Sequence, residues 1–208
     1  MTIWAIVPVK PLQRAKSRLA KVLNRDERAS LSRQLLEHTL DILSDISQVE
    51  RTLVVSRDSE ALAIARSHGA RTVSEWGSPK LNKALVRASL VARGHGVSAV
   101  LVLPADLPLL SQQDIEKLIA ASGKPPEVIL APDRRGTGTN AILSSPPGLI
   151  DYDFGPDSFQ QHIEQAKAAG ARVEICKLPS LELDLDVPDD LEALQKELIK
   201  FDFDPKKE

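Results

Sequence analysis

The sequence predicts an α/β fold, a three-layer sandwich built on a mostly parallel mixed sheet. Two observations carry that prediction. Strand-length apolar runs alternate, for most of the 208 residues, with longer segments whose apolar residues recur at helical spacing. The first run, "IWAIVPV" at 3–9, is apolar at every position, as a strand covered on both faces would be.

The elements follow in order. After the strand at 3–9 and a basic loop, "DERASLSRQLLEHTLDIL" sets Leu31, Leu35, Leu36, Leu40 and Leu43 on one helical face. "TLVVS" at 52–56 is the next strand. Asp58 caps the helix "SEALAIARSHG", which stops at Gly69. A short strand at Thr72–Val73 precedes a helix in "SPKLNKALVRASLVARGHG". "AVLVLPADLPLL" is then a buried strand running into prolines, and Ser111 with Asp114 resembles a capping box for "QQDIEKLIAAS". "EVILA" and "AILSS" are strands flanking "APDRRGTGTN". "GPDSFQQHIEQAKAAG" is a helix with Asp157 or Ser158 at its start and Gly170 past its end. "RVEICKL" and "LELDLDV" read as strands, and "PDDLEALQKELI" is the last helix, with Pro188 near its first position. The chain reads as one domain over 1–200 with a frayed tail over 201–208.

Composition excludes several classes. Aromatic residues are 3% of the chain and the formal net charge is −2, which disfavours a base-stacking platform or a broad phosphate-neutralising surface, so no nucleic-acid partner is expected. Cys176 is alone, which excludes a cysteine zinc site and suits a reducing cytoplasm. The apolar run at the amino terminus is too short for a signal peptide or membrane span, so a cytoplasmic protein with no membrane partner is expected.

In open α/β sheets ligands bind at the carboxyl ends of the strands, and chemistry-bearing residues gather there. "KPLQRAKSRL" places Lys10, Arg14, Lys16 and Arg18 just past the first strand, as either an anion site or a solvated basic loop. The segment lacks the glycine spacing of a P-loop or of a dinucleotide fingerprint. Asp106 ends a buried strand between Pro104 and Pro108, as an Asx-turn or as a carboxylate for Mg²⁺ bridging phosphates. In "LELDLDVPDDL" the leucines alternate with Glu182, Asp184 and Asp186, so three like charges share one face. A wet strand face explains this, and so does a divalent cation; Asp186 could also be only a helix cap.

The loop "APDRRGTGTN" offers glycines that let backbone N–H groups approach a ligand, threonine hydroxyls, and two arginines that suggest an anion; a polar hairpin is the plain alternative. "FGPDSF" opens a helix whose first-turn N–H groups, with Gly155 and Ser158 beside them, suit a phosphate or carboxylate, unless Asp157 caps them. Two carboxylate clusters, a cationic loop and two anion sites suit the joining of two phosphorylated molecules. Metal-assisted nucleotidyl transfer is such a reaction, and an ionised acceptor phosphate needs no general base. His38, His68, His95 and His162 fall in no persuasive motif and are expected to be surface or packing residues.

"IVPVKPL", "AKSRL", "LPADLPLL", "APDRRGTGTNAIL", "FGPDSF" and "LDLDVPDDL" occur in one order over about residues 3–195, and in this the chain resembles the guanylyltransferases of deazaflavin coenzyme (F-420) biosynthesis. The resemblance implies a nucleotide-diphospho-sugar transferase (GT-A-like) fold, with GTP and a three-carbon phosphorylated acid as substrates. Phosphoenolpyruvate is the expected acid, with 2-phospho-L-lactate or 3-phosphoglycerate as alternatives. It implies Lys16, Arg18 and Asp106 as catalytic groups, Lys10, Lys16 and Arg18 on the nucleotide phosphates, and Asp106, Asp184 and Asp186 as ligands of Mg²⁺. Thr139, Gly155 and Ser158 would hold the acid. A nucleotidyltransferase for another acceptor and a non-catalytic nucleotide-binding module are the competing readings.

Overall fold

A computed structural model describes residues 1–74 and 81–196. Residues 78–80 of the third expected helix, the end of the last helix and the tail at 201–208 lie outside the described residues. Seven strands form one sheet: β1 Ile3–Val9, β2 Val49–Ser56, β3 Arg71–Ser74, β4 Ala99–Val102, β5 Glu127–Pro132, β6 Thr139–Ser145 and β7 Arg172–Ile175. Their spatial order is β3-β2-β1-β4-β6-β5-β7, with β6 antiparallel to both neighbours and the other pairs parallel.

The helices are α1 Arg25–Ser44, α2 Ser59–Ser67, α3 Leu81–Gly94, α4 Gln112–Ala120, α5 Ser158–Ala168, the single turn α6 Pro179–Glu182, and α7 Pro188–Lys196. Side-chain alternation along β1 explains the layers. Ile3, Ala5 and Val7 join one core with α1, α2 and α4, while Trp4 and Ile6 join the other with α3 and α5. The five leucines expected on the α1 face are all buried, each contributing about 2 kcal/mol. Leu31 and Leu35 face a third, smaller cluster with Leu19, Leu183, Leu185 and Leu194. That cluster fastens the loop after β1 to the chain before α7.

Local signals account for most boundaries. Asp58 accepts the Glu60 N–H at 2.9 Å, as expected of a cap. A reciprocal capping box forms at Asn24 and Glu27, at the start of α1. At α4 only half of the expected box forms: Ser111 accepts the Asp114 N–H at 3.3 Å, but the Asp114 carboxylate turns away to accept the Ser180 N–H at 3.1 Å.

The "LELDLDV" strand is corrected. Residues 179–182 form the turn α6, and 183–187 belong to no strand. Other segments take its backbone groups instead: Asn140 Nδ2, from a side chain of β6, donates to the Leu181 carbonyl at 2.8 Å, Arg134 N–H to the Glu182 carbonyl at 2.8 Å, and Leu185 N–H to the Asp106 carbonyl at 3.0 Å. The alternation survives, because Leu181, Leu183 and Leu185 are buried while Glu182, Asp184 and Asp186 are partly exposed.

Candidate active site

Strand order changes direction between β1 and β4, and the chains leaving these two strands diverge above the sheet. A cleft of about 690 Å³ opens at this rim. Because β6 is antiparallel, its first residues Thr139 and Asn140 reach the same rim as the last residues of its neighbours. Lys10, Lys16, Arg18, Asp106, Thr139, Gly155, Asp184 and Asp186 all line the cleft. Arg14 is exposed and does not line it.

One end is built on charge. Lys16 has φ 53° and ψ 35°, a left-handed conformation that costs a non-glycine residue energy and is retained here by its surroundings. The turn sends its side chain, 7% exposed, between two carboxylates: Nζ lies 3.1 Å from Asp106 Oδ2 and 3.3 Å from Asp186 Oδ1. Burial opposes the ammonium charge, yet Asp106 and Asp186 outweigh it and raise the Lys16 pKa. Asp186 is likewise penalised by burial but held below its ordinary range by Lys16, Lys10 and Arg18. The Arg18 guanidinium, 3.9 Å from Asp186, is largely in solvent and weakly bound. Among the described residues Asp184 has no such cation beside it. Burial and then the charges of Asp106 and Asp186 push its pKa to about 6.

Asp106 and Asp186 therefore face one position of cation size, where the Lys16 ammonium stands. No three metal-binding side chains form a cage among the described residues. The donor set of two carboxylates with a third nearby suits Mg²⁺, which takes one or two carboxylates and completes its shell with waters and phosphate oxygens. Asp190 was not foreseen. It is 2% exposed and accepts the Asp186 N–H at 2.9 Å and the Val187 N–H at 2.8 Å, so it sets the backbone that carries Asp186. It is also the anion met by Arg134 and Arg135, at 2.5 and 3.4 Å. Those arginines bind the chain's own carboxylate, and Arg135 alone of the two borders the cleft.

The opposite end is built on hydroxyls. Here the expected donation by loop N–H groups is corrected. Asp133 Oδ1 accepts the N–H groups of Thr137 at 2.9 Å and Gly138 at 3.0 Å, and the Asp133 carbonyl accepts that of Gly136 at 3.0 Å. Thr139 N–H donates to Ser158 Oγ at 3.1 Å. A Cβ at Gly138 would lie 2.9 Å from Asp133 Oδ2, so any larger residue there would have to displace the carboxylate that holds the loop. What the loop presents to the cleft is side chain: Asp133, Arg135 and Thr137, with the largely buried Thr139 at its end.

The helix start differs too. Asp157 adopts φ 57° and makes no side-chain cap, while the N–H of Ser158 donates to the Gly155 carbonyl and that of Phe159 to the Thr137 carbonyl. Ser158 is 1% exposed and lies behind Thr139, not on the cleft surface. His162, expected at the surface or in packing, is buried against both: a ring nitrogen, Nδ1, lies 3.0 Å from Thr139 Oγ1. Its position four residues along α5 from Ser158 was the available signal, since i and i+4 share a helix face.

Fold and site together suit a nucleotide-handling transferase of the doubly wound α/β kind, with a cleft lined by cations and carboxylates at one end and backed by hydroxyls at the other. Residues 3–198 match the guanylyl transferase CofC like family, and the chain belongs to it. A phosphoenolpyruvate guanylyltransferase of Rubrobacter xylanophilus is 40% identical over 195 residues, covering 94% of each chain. One from Roseiflexus sp. strain RS-1 is 46% identical over 191 residues, 92% of this chain and 84% of the relative. A 3-phospho-D-glycerate guanylyltransferase of Colwellia psychrerythraea is 31% identical over 189 residues, 91% of this chain and 89% of its own.

Among solved structures, a Desulfovibrio desulfuricans G20 protein assigned as a nucleotide-diphospho-sugar transferase superposes with TM-score 0.79 at 18% identity, over 98% of this chain and 90% of that one. A 4-diphosphocytidyl-2C-methyl-D-erythritol synthase superposes with TM-score 0.65 at 17% identity, over 95% of this chain and 99% of that one. These two likenesses bear on the fold, which is the expected three-layer α/β arrangement.

Proposed function

We propose that this protein joins the GMP moiety of GTP to phosphoenolpyruvate, releasing pyrophosphate and giving enolpyruvyl-diphospho-5'-guanosine, a step of F-420 biosynthesis. The observation that carries the reading is the pairing of Lys16 with Asp106 and Asp186 in a cleft whose far wall is Thr139 over Ser158. Two unit charges about 4 Å apart repel by about 4 kcal/mol at an effective dielectric of 20, so two phosphate groups can meet only between cations. Lys10, Lys16 and Arg18 supply them from one loop. Family membership and the two relatives named for phosphoenolpyruvate support the choice of acid.

In the mechanism, Lys10 and Arg18 bind and orient the triphosphate at the mouth of the cleft. Asp106 and Asp186 would hold Mg²⁺, with Asp184 beside them; the ion when bound neutralises the phosphates and the departing pyrophosphate. Lys16, buried and kept charged by its partners, would move its hydrogen bonds from the carboxylates to phosphate oxygens when the site fills. Thr139 and Gly155 hold the acid so that its phosphate oxygen faces the α-phosphate in line. That oxygen is already ionised, so no side chain has to take a proton from it.

Pyrophosphate release measured with GTP and Mg²⁺, offering phosphoenolpyruvate, 2-phospho-L-lactate and 3-phosphoglycerate separately and ATP as a control, tests the reading. Turnover with GTP and phosphoenolpyruvate is expected. Turnover with 3-phosphoglycerate instead would place the chain with its Colwellia relative, and silence with all three would sink the proposal.

A further inference from the structure

His162 lies behind the wall assigned above to the phosphorylated acid, and the inference rests on that assignment. Its ring is 0% exposed and its two nitrogens have different partners. Nε2 lies 2.9 Å from the backbone nitrogen of Asp153, which can only donate, so Nε2 must carry a lone pair. A neutral imidazole then carries its proton on Nδ1, and this N–H points at Thr139 Oγ1, 3.0 Å away. Ser158 Oγ already accepts the Thr139 N–H at 3.1 Å, and its own hydroxyl leans toward Thr139 Oγ1 at 3.4 Å.

Both lone pairs of Thr139 Oγ1 thus face protein donors, while its O–H is left to donate. Among the described residues that proton has no protein acceptor, and Thr139 lines the cleft, which leaves a ligand oxygen as the partner to be tested. We propose that His162 is a positioning residue: by donating from Nδ1 it fixes the polarity of the Thr139 hydroxyl, so that the wall offers a hydrogen-bond donor to an anionic oxygen of the bound acid.

The surroundings hold the ring in this state. Phe154 stands edge-on to it with centroids 5.2 Å apart and forms part of the cleft lining, and Asn82 Oδ1 accepts the Phe154 N–H at 3.0 Å. Protonation would set a second N–H against the Asp153 N–H. Burial is the larger influence on the ring and lowers its pKa to about 4, with the Asp153 charge opposing it.

Two substitutions separate positioning from packing. In His162→Asn the amide nitrogen replaces Nδ1 and keeps a donor for Thr139, but the Asp153 N–H loses its acceptor. In His162→Gln the amide oxygen replaces Nε2 and keeps the backbone contact, but the donor to Thr139 is lost. His162→Gln should raise the KM for phosphoenolpyruvate about tenfold, the loss of one charge-assisted hydrogen bond, while leaving the KM for GTP within about twofold. His162→Asn should stay within about threefold of the wild type for both substrates. A purely structural role predicts the opposite ranking, since glutamine fills more of the space, and that ranking or equal KM changes for both substrates would overturn the proposal.

The ¹⁵N spectrum of the wild-type histidine side chains decides the matter even if neither variant folds. A buried ring protonated on Nδ1 supports the proposal, and one protonated on Nε2 ends it. Wild-type protein that releases no pyrophosphate with any acid would overturn the assigned reaction, and this tautomer measurement would still stand.

Discussion

In the proposed reaction the two ends of the cleft each hold an anion, and they are built on different physics. Around Lys16 the groups are charged, partly open to solvent and 3.1 to 3.3 Å apart, and the charges of Lys16 and Asp186 are held by their neighbours against burial. Around Thr139 the groups are neutral, at most 5% exposed, and linked by hydrogen bonds whose direction is dictated by a backbone N–H. The first arrangement suits a highly charged ligand that must be neutralised while bonds change. The second suits a small acid that must be oriented. Substitutions should therefore act on rate at one end and on acid binding at the other.

The largest expected effect is at the charged end. Asp106→Asn should lower kcat by about 10²–10³-fold, the scale of removing an electrostatic group aimed at the reacting phosphates, while the fold is kept because the amide oxygen can still accept from Lys16 and Asp186 remains charged beside it. Steady-state rates at saturating Mg²⁺ check this, and near-wild-type turnover would remove Asp106 from the reaction. Asp190→Ala should cost about 3 kcal/mol in urea unfolding, because it strips the partner from Arg134 and from two backbone N–H groups. It should also lower kcat by misplacing Asp186. A stable variant with wild-type kcat would show that the backbone before α7 holds itself.

At the hydroxyl end the effects should be smaller and of another kind. Ser158→Ala leaves the buried Thr139 N–H without an acceptor, which costs about 1–2 kcal/mol of stability. It should raise the KM for the acid more than that for GTP; equal increases would erase the division of labour between the ends.

The most gradual effect is a pH dependence of folding, spread over the whole window between the two titrations. The folded His162 titrates near 4 and the unfolded side chain near its ordinary 6.5. Above 6.5 neither state binds the proton and nothing changes. Between 6.5 and about 4 the unfolded chain takes a proton the folded chain refuses, so stability falls as pH falls, by at most about 1.4 kcal/mol per unit. Below about 4 both states bind it and this contribution to the slope vanishes. Urea unfolding across this range should show a shallower slope in His162→Gln, and an identical slope would mean the ring is not the group responsible.

The difference between the ends also governs what could be read in advance. Lys10, Lys16, Arg18 and Asp106 follow apolar strands directly, and a cluster of charge at a strand end is visible without coordinates. The loop and the helix start were reached from composition and Thr139 from the family resemblance, and Thr139 and Gly155 do line the cleft. The partners were not legible. Glycines suggested N–H donors at 136–139, but Asp133 takes three of those four N–H groups and Ser158 the other. Arginines suggested a ligand anion, but Asp190, more than 50 residues on, is the anion they meet. The even alternation of "LELDLD" suggested a strand, but the Asn140 side chain and two loops claim its backbone groups, with no strand ladder formed.

The sequence by itself determined the layers, the helices and the rim at which chemistry occurs, because hydrophobic periodicity and capping are local and act through burial. It also determined which charges stand at that rim. Tertiary structure decided which partner each polar group received. Lys16 joins Asp106 and Asp186 across 90 and 170 residues, and an antiparallel β6 carries Thr139 to the edge where α5 delivers Ser158 and His162. Hydrogen bonds are short-ranged and directional, so their pairing depends on packing at ångström scale, and no one-dimensional pattern encodes it.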